Sequence, residues 1–147
     1  MGKLTDKYCI VGVGETEFVR NSNRTTLSLA CEAIRKAAAD AGLPLSAIDG
    51  LTSYQTGDST SSDAVAHAMG LELDYGVDVI GGAAAPEFLI THAMGLIEQG
   101  NAKCVAVYRA MNGRTGRRPG GRGKDGPMIA NAAGKGQYLV PAGMNGA

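Results

Sequence analysis

The chain has 147 residues and a mass of 15.0 kDa, with 19% charged and 44% apolar residues, a composition that buries a core and is neither disordered nor membranous. The formal charge is zero, but residues 1–112 hold 8 Lys/Arg against 13 Asp/Glu, while residues 113–147 hold 6 against 1 and carry 10 of the 22 glycines. No apolar run reaches the roughly 18–20 residues of a bilayer-crossing helix, Met1 to Asp6 has no secretory pattern, and the spacing of Cys9, Cys31 and Cys104 matches no metal site. These features lead to an expectation of a cytoplasmic protein with three buried, reduced thiols and no cofactor.

Tyr8 to Gly14 is a short apolar run closed by glycine, the pattern of a strand buried on both faces. Leu27, Ala30, Ile34, Ala37 and Ala41 then recur at helical spacing. Thr25 or Thr26 can cap this helix at its start, and Gly42 with Pro44 ends it. Leu51–Tyr54 reads as a second strand, Gln55–Ser62 as a loop and Ala64–Met69 as a short helix closed by Gly70. Val77–Ile80 reads as a third strand. A turn of glycines and alanines follows it, and Pro86 then opens a helix that runs to Gly100. Because that helix is apolar on nearly every side, it is expected to be central and covered all round, and since a domain of this length has too little mass for layers on both sides, either the chain dimerises around it or it is part of something larger. Cys104–Tyr108 is the fourth strand. The alternation predicts an α/β fold with a mixed, mostly parallel sheet packed against helices.

Two common motifs fail on inspection. After Gly12-Val13-Gly14 the third glycine of a dinucleotide fingerprint would fall at Glu17, far from the next helix. No glycine-rich run ends in Gly-Lys-Ser/Thr, so there is no P-loop. His67 and His92 have no ligand-type neighbours in the sequence and read as packed or surface residues.

The segment Val77-Asp-Val-Ile-Gly-Gly-Ala-Ala-Ala-Pro-Glu-Phe-Leu-Ile-Thr-His-Ala-Met-Gly-Leu-Ile-Glu-Gln-Gly100, continuing through Asn101 to Tyr108, resembles the amino-terminal half of a thiolase-superfamily subunit. The likeness is to the non-specific lipid-transfer branch related to sterol carrier protein X. Val11-Gly-Val-Gly-Glu-Thr-Glu-Phe18 and the stretch from Ala38 to Gly50 add to the resemblance, which covers roughly residues 7–118. It implies a thiolase-like half over residues 1–112, with residues 113–147 opening the family's loop region. The family's histidine motif and second half would follow Ala147.

In thiolases the turn before the central helix carries the nucleophilic cysteine. That position falls here at Gly82 or Ala83, and Gly81–Ala85 contains no nucleophile, so a covalent thioester cannot form there. Ordinary acetyl-CoA acyltransferase activity is thereby disfavoured. The resemblance instead points to a cysteine-less branch associated with retro-aldol cleavage of steroid side-chain CoA esters beside a zinc-ribbon/OB-fold partner. It assigns no catalytic residue to this chain. Gly81, Gly82, Ala83 and Ala84 are candidates for an oxyanion site, or are small only for close packing. Arg109, Arg114, Arg117 and Arg118, with Arg122, are candidates for the phosphates of CoA, which enters as part of the substrate. A solvated loop is the other reading of this strip, and nucleic acid is disfavoured because no aromatic residues interleave. The resemblance further implies a homodimer in which Val77, Val79 and Ile80 pair across a two-fold axis. A non-catalytic lipid-transfer or scaffold subunit remains an alternative function.

Overall fold

The computed structural model describes residues 5–20, 22–55, 57–81 and 84–112, together with the backbone of residues 139–141. Helix α1 spans Thr26–Asp40, a 3-10 turn Leu45–Ala47, strand β1 Gly50–Gln55, helix α2 Ser62–Met69 and strand β2 Tyr75–Ile80. Helix α3 (Ala85–Glu98), strand β3 (Val105–Tyr108) and strand β4 (Leu139–Pro141) complete the described elements. The sheet order is β3-β1-β2-β4, with β1 parallel to β2 and β3, and β4 antiparallel to β2.

The local signals account for most of these elements. Thr25 Oγ1 accepts the Ser28 N–H at 3.1 Å and caps α1, whose apolar side buries Leu29, Ala30, Cys31, Ile34 and Ala38. Gly70 ends α2 in the left-handed conformation, at a φ of 65° that costs glycine little. The core joins that face of α1 to Ile48, Leu51 of β1, Val65 and Ala66 of α2, and Tyr108 of β3. Leu89, Ala93 and Leu96 bury one side of α3, which packs on β1 and β3. The Asp49 carboxylate accepts the N–H groups of Lys103 and Cys104 at 2.9 Å, which pins the turn into β3 beside the start of β1.

Three expectations need correction. Residues 8–14 form no strand and join no sheet among the described residues, with Ile10 73% and Val13 74% exposed. Gly12 and Gly14 lie directly on α1, where a Cβ on either would collide with the carbonyl oxygens of Ala37 and Ala33 respectively. The apolar run is therefore held against a helix instead of within the sheet. Second, α3 is not covered all round. Phe88 is 45% and Ile90 40% exposed, because the described residues supply a layer against only one of its sides. Third, Cys31 is buried and Cys104 half-buried, whereas Cys9 is exposed on the unpaired segment; all three are free thiols. Within the segment read as the start of the family's loop region, residues 139–141 form the short strand β4.

Candidate functional site

The carboxyl ends of β1, β2 and β3 converge, and in parallel sheets this is the edge where ligands bind. Three segments meet there: the loop after β1, the turn between β2 and α3, and the chain leaving β3 at Arg109. Of the predicted turn residues, Gly82 and Ala83 lie outside the described residues. Gly81 donates its N–H to Gln55 O at 3.4 Å, and a Cβ on it would sit 3.3 Å from that of Ala85. Ala84 is exposed and precedes α3 without a side-chain cap. The Phe88 N–H bonds to Ala84 O, while the Ala85 and Glu87 N–H groups precede this first intrahelical donor of α3. Backbone donors without an intrahelical acceptor thus stand at the start of this helix, next to the small residues Ala84 and Ala85.

Arg109, predicted as a phosphate ligand, is already engaged. Its Nη2 lies 2.5 Å from Oδ2 of the buried Asp58, and its guanidinium sits 4.2 Å above the Tyr54 ring. Nη1 reaches Tyr54 O at 3.5 Å, while Nε is buried without a hydrogen-bond partner among the described residues. Arg109 therefore fixes the loop after β1 onto the end of the sheet. Arg114, Arg117, Arg118 and Arg122 lie outside the described residues.

Sequence reasoning missed a buried polar cluster one layer below. Asp78 on β2, Ser53 on β1 and Tyr108 on β3 are aligned by strand register, Ser53 opposite both others. The Asp78 carboxylate accepts from Ser53 Oγ, from the Ser62 N–H at 2.9 and 3.1 Å, and from Ser62 Oγ at 3.2 Å. It caps α2 from a neighbouring strand, since the N-cap Ser61 makes no such bond. Tyr108 donates to Thr60 O at 3.0 Å, and burial, reinforced by the Asp78 charge, pushes its phenol well above the usual range. The available signal was Asp78 itself, a charge within the apolar run Val77–Ile80.

His92 hydrogen-bonds Tyr75 at 3.3 Å and stacks on Phe88, whereas His67 is exposed. No metal-competent cluster of His, Cys, Asp or Glu occurs among the described residues, and no helix there is long and apolar enough to cross a membrane. The predicted interface residues Val77 and Val79 pair with residues 141 and 139 of β4, so the outer edge of β2 is hydrogen-bonded within the chain. Ile80 lies beyond that short ladder, in register with Gln55.

No protein-family model matches the chain. It is 39% identical over 148 residues to a steroid side-chain-cleaving aldolase of Thermomonospora curvata, covering 99% of this chain and 37% of that protein. It is 42% identical over 118 residues to the 17-hydroxy-3-oxo-4-pregnene-20-carboxyl-CoA lyase of Mycobacterium tuberculosis, covering 80% of this chain and 30% of the lyase. Bovine sterol carrier protein 2 is 37% identical over 106 residues, 69% of this chain and 20% of that protein. Among solved structures, the Ltp2-ChsH2(DUF35) aldolase superposes with a TM-score of 0.66 at 39% identity, over 80% of this chain and 30% of the matched one. The chain is thus similar to a group of lipid-transfer proteins and aldolases, and spans about a third or less of the length of most of them.

Proposed function

We propose that this chain is the amino-terminal, thiolase-like portion of a CoA-ester aldolase that shortens steroid side chains. The observation that carries this reading is the 42% identity to a steroid CoA lyase in a chain whose Gly81–Ala85 turn has no nucleophile. A thiolase acyltransferase needs an attacking thiolate at that turn, but a retro-aldol reaction does not. A base removes the β-hydroxyl proton, the Cα–Cβ bond breaks to leave a carbonyl, and the electron pair becomes a thioester enolate. Protonation at Cα completes the step.

The backbone donors at the start of α3 suit the enolate oxygen, and the sequence from Gly81 to Ala84 carries no side chain larger than a methyl to crowd a thioester. This reading assigns the general base to no residue of this chain. The arginines beyond residue 112, Arg114, Arg117 and Arg118, are the proposed contacts for the CoA phosphates, with Arg109 holding the loop after β1 in place. The substrate would be a steroid-CoA ester, and the assembly a cytoplasmic homodimer with a DUF35-type partner of zinc-ribbon and OB fold. Dimer pairing through Val77, Val79 and Ile80 requires β4 to leave the edge of β2.

The test is calorimetric titration with a 17-hydroxysteroid 20-carboxyl-CoA ester, using this chain alone and then with a DUF35-type partner, followed by assay of carbon–carbon cleavage. Binding that requires the CoA group and strengthens with the partner is expected. Equal affinity for the free steroid acid would favour the lipid carrier suggested by the sterol carrier protein relatives. Formation of an acyl-enzyme would revive the acyltransferase.

A further inference from the structure

Strand β1 ends with Tyr54 and Gln55, both half-buried at the carboxyl edge of the sheet. Side chains alternate along a strand, and Leu51 and Ser53 point toward α1 and α2: Leu51 belongs to their core, and Ser53 Oγ bonds Asp78, the cap of α2. Thr52 and Tyr54 therefore project from the opposite face. Helix α3 lies there, since it packs on β1 while its buried residues stay outside that core. It follows β2 and returns to the foot of β3, which is parallel to β2, so its first turn stands at the edge where Tyr54 sits. Val79, opposite Tyr54 in register, shares its face, and a Cβ on Gly81 would lie 3.6 Å from Val79 Cγ1. The turn into α3 thus begins beside Tyr54.

The ring is held, but its hydroxyl is unused. The Arg109 guanidinium lies 4.2 Å from the ring centroid and is itself tied to Asp58 and to Tyr54 O. One aromatic face is therefore fixed by an anchored cation. Among the described tyrosines, Tyr8 places its hydroxyl on Glu98, Tyr75 on His92 and Tyr108 on Thr60 O, whereas the Tyr54 phenol bonds no described residue. A half-buried donor without an internal partner, on an immobilised ring beside the turn, is suited to an acceptor brought by a ligand.

We propose that Tyr54 is a catalytic residue of the aldolase, the side-chain hydrogen-bond donor to the thioester oxygen of the substrate. This inference rests on the aldolase reading above. As the Cα–Cβ bond breaks, its electron pair moves into the thioester and negative charge grows on that oxygen. The phenol O–H strengthens its bond to the oxygen while keeping its own proton, so Tyr54 neither gains nor loses a proton in the step. A donor fixed in advance by Arg109 needs no reorganisation as the charge appears. The bond is weak to a neutral carbonyl and strong to an enolate, so the hydroxyl acts mainly on the transition state.

Tyr54→Phe keeps the ring under Arg109 and removes only the hydroxyl. With this chain in place of the matching region of the Thermomonospora curvata aldolase, the substitution should lower kcat for cleavage of a steroid-CoA ester by about 10²–10³-fold, with KM within about threefold and an unchanged urea midpoint. A second readout needs no turnover. In the chain alone, with tyrosine labelled at Cζ by carbon-13, the Tyr54 resonance is assigned from its loss in Tyr54→Phe. It should shift on adding a 17-hydroxysteroid 20-carboxyl-CoA ester and stay in place with the matching CoA thioether, which lacks the carbonyl oxygen. An ester that binds without moving this resonance would overturn the proposal and leave the aldolase reading intact, as would a kcat within about twofold of the parent. An ester that does not bind would defeat both.

Discussion

Replacing Asp78 tests the interior of this fold most directly. Its carboxylate is buried and satisfies Ser53 Oγ, the Ser62 N–H and Ser62 Oγ, and both serines are completely buried. In Asp78→Ala the two hydroxyls can rotate toward nearby carbonyl oxygens, but the Ser62 N–H is fixed by the backbone and loses its acceptor. An orphaned buried donor costs about 1–3 kcal/mol, and bonds to a charged acceptor add about 1.5–3 kcal/mol each. Releasing the carboxylate's own burial penalty offsets part of this loss. The expected net cost is therefore about 3–4 kcal/mol, a large share of the roughly 5–15 kcal/mol that holds a small domain together. Asp78→Asn keeps the shape and one acceptor oxygen, for an expected cost of about 1–2 kcal/mol. Urea denaturation followed by far-ultraviolet circular dichroism measures both, since the chain has no tryptophan. Asp78→Asn should also bring the Tyr108 phenol back toward the usual range, read from tyrosinate absorbance, because the Asp78 charge contributes to its upward shift. A stability of Asp78→Ala within about 0.5 kcal/mol of the parent would refute the claim that the cluster anchors α2.

Four further outcomes follow from the same geometry. Gly14→Ala places a methyl group against the Ala33 carbonyl and the Ala37 nitrogen, and should cost about 1–3 kcal/mol while making residues 8–20 more susceptible to limited proteolysis. Ala93→Asp puts an unpaired carboxylate on the sheet-facing side of α3 and should abolish cooperative unfolding, at a cost of several kcal/mol; a soluble, stable variant would show that this side is not buried. Iodoacetamide should label Cys9 at once and Cys31 only on unfolding. Cys104 should react slowly, since burial and the nearby Asp49 charge raise its thiol, and equal rates at all three sites would contradict the burial pattern. The folded state holds the Tyr108 proton beyond the usual tyrosine value, so stability should be unaffected by this group below about pH 10 and fall above it as the unfolded chain ionises. Tyr108→Phe should flatten that alkaline decline in urea titrations.

The readable elements were those whose partners sit within the chain. Helix α1 has its cap at Thr25 and an uninterrupted apolar stripe, and β1, β2 and β3 lie within a residue or two of the predicted limits. Tyr8–Gly14 carries an equally strong strand pattern, yet a strand also needs a neighbour, and composition cannot say whether one is present. The same holds for α3, whose all-round apolarity reports every surface that will meet it, including any this chain does not supply. At the site, the turn of small residues was legible as a missing nucleophile. The engagement of Arg109 was not, because Asp58 and Tyr54 are far from it in sequence and meet it only through parallel strand pairing. Asp78, Ser53 and Tyr108 were hidden in the same way: each is unremarkable alone, and only the register places them side by side.

The misread elements share a physical cause, and it bears on how the site works. Ile10, Val13 and Phe18 on the unpaired segment and Phe88 and Ile90 on α3 are large apolar groups facing solvent at two separate surfaces. Exposed clusters of this kind mark contact surfaces more often than decoration. One surface is the segment that rests on α1, and the other belongs to the helix whose first turn is the candidate oxyanion site. A layer laid over α3 would exclude water from that helix, and backbone donors stabilise a developing charge far more effectively once water is removed. On the proposed function the apolar cover and the chemistry are coupled, and the donors at the start of α3 would gain catalytic strength once the outer side of that helix is buried.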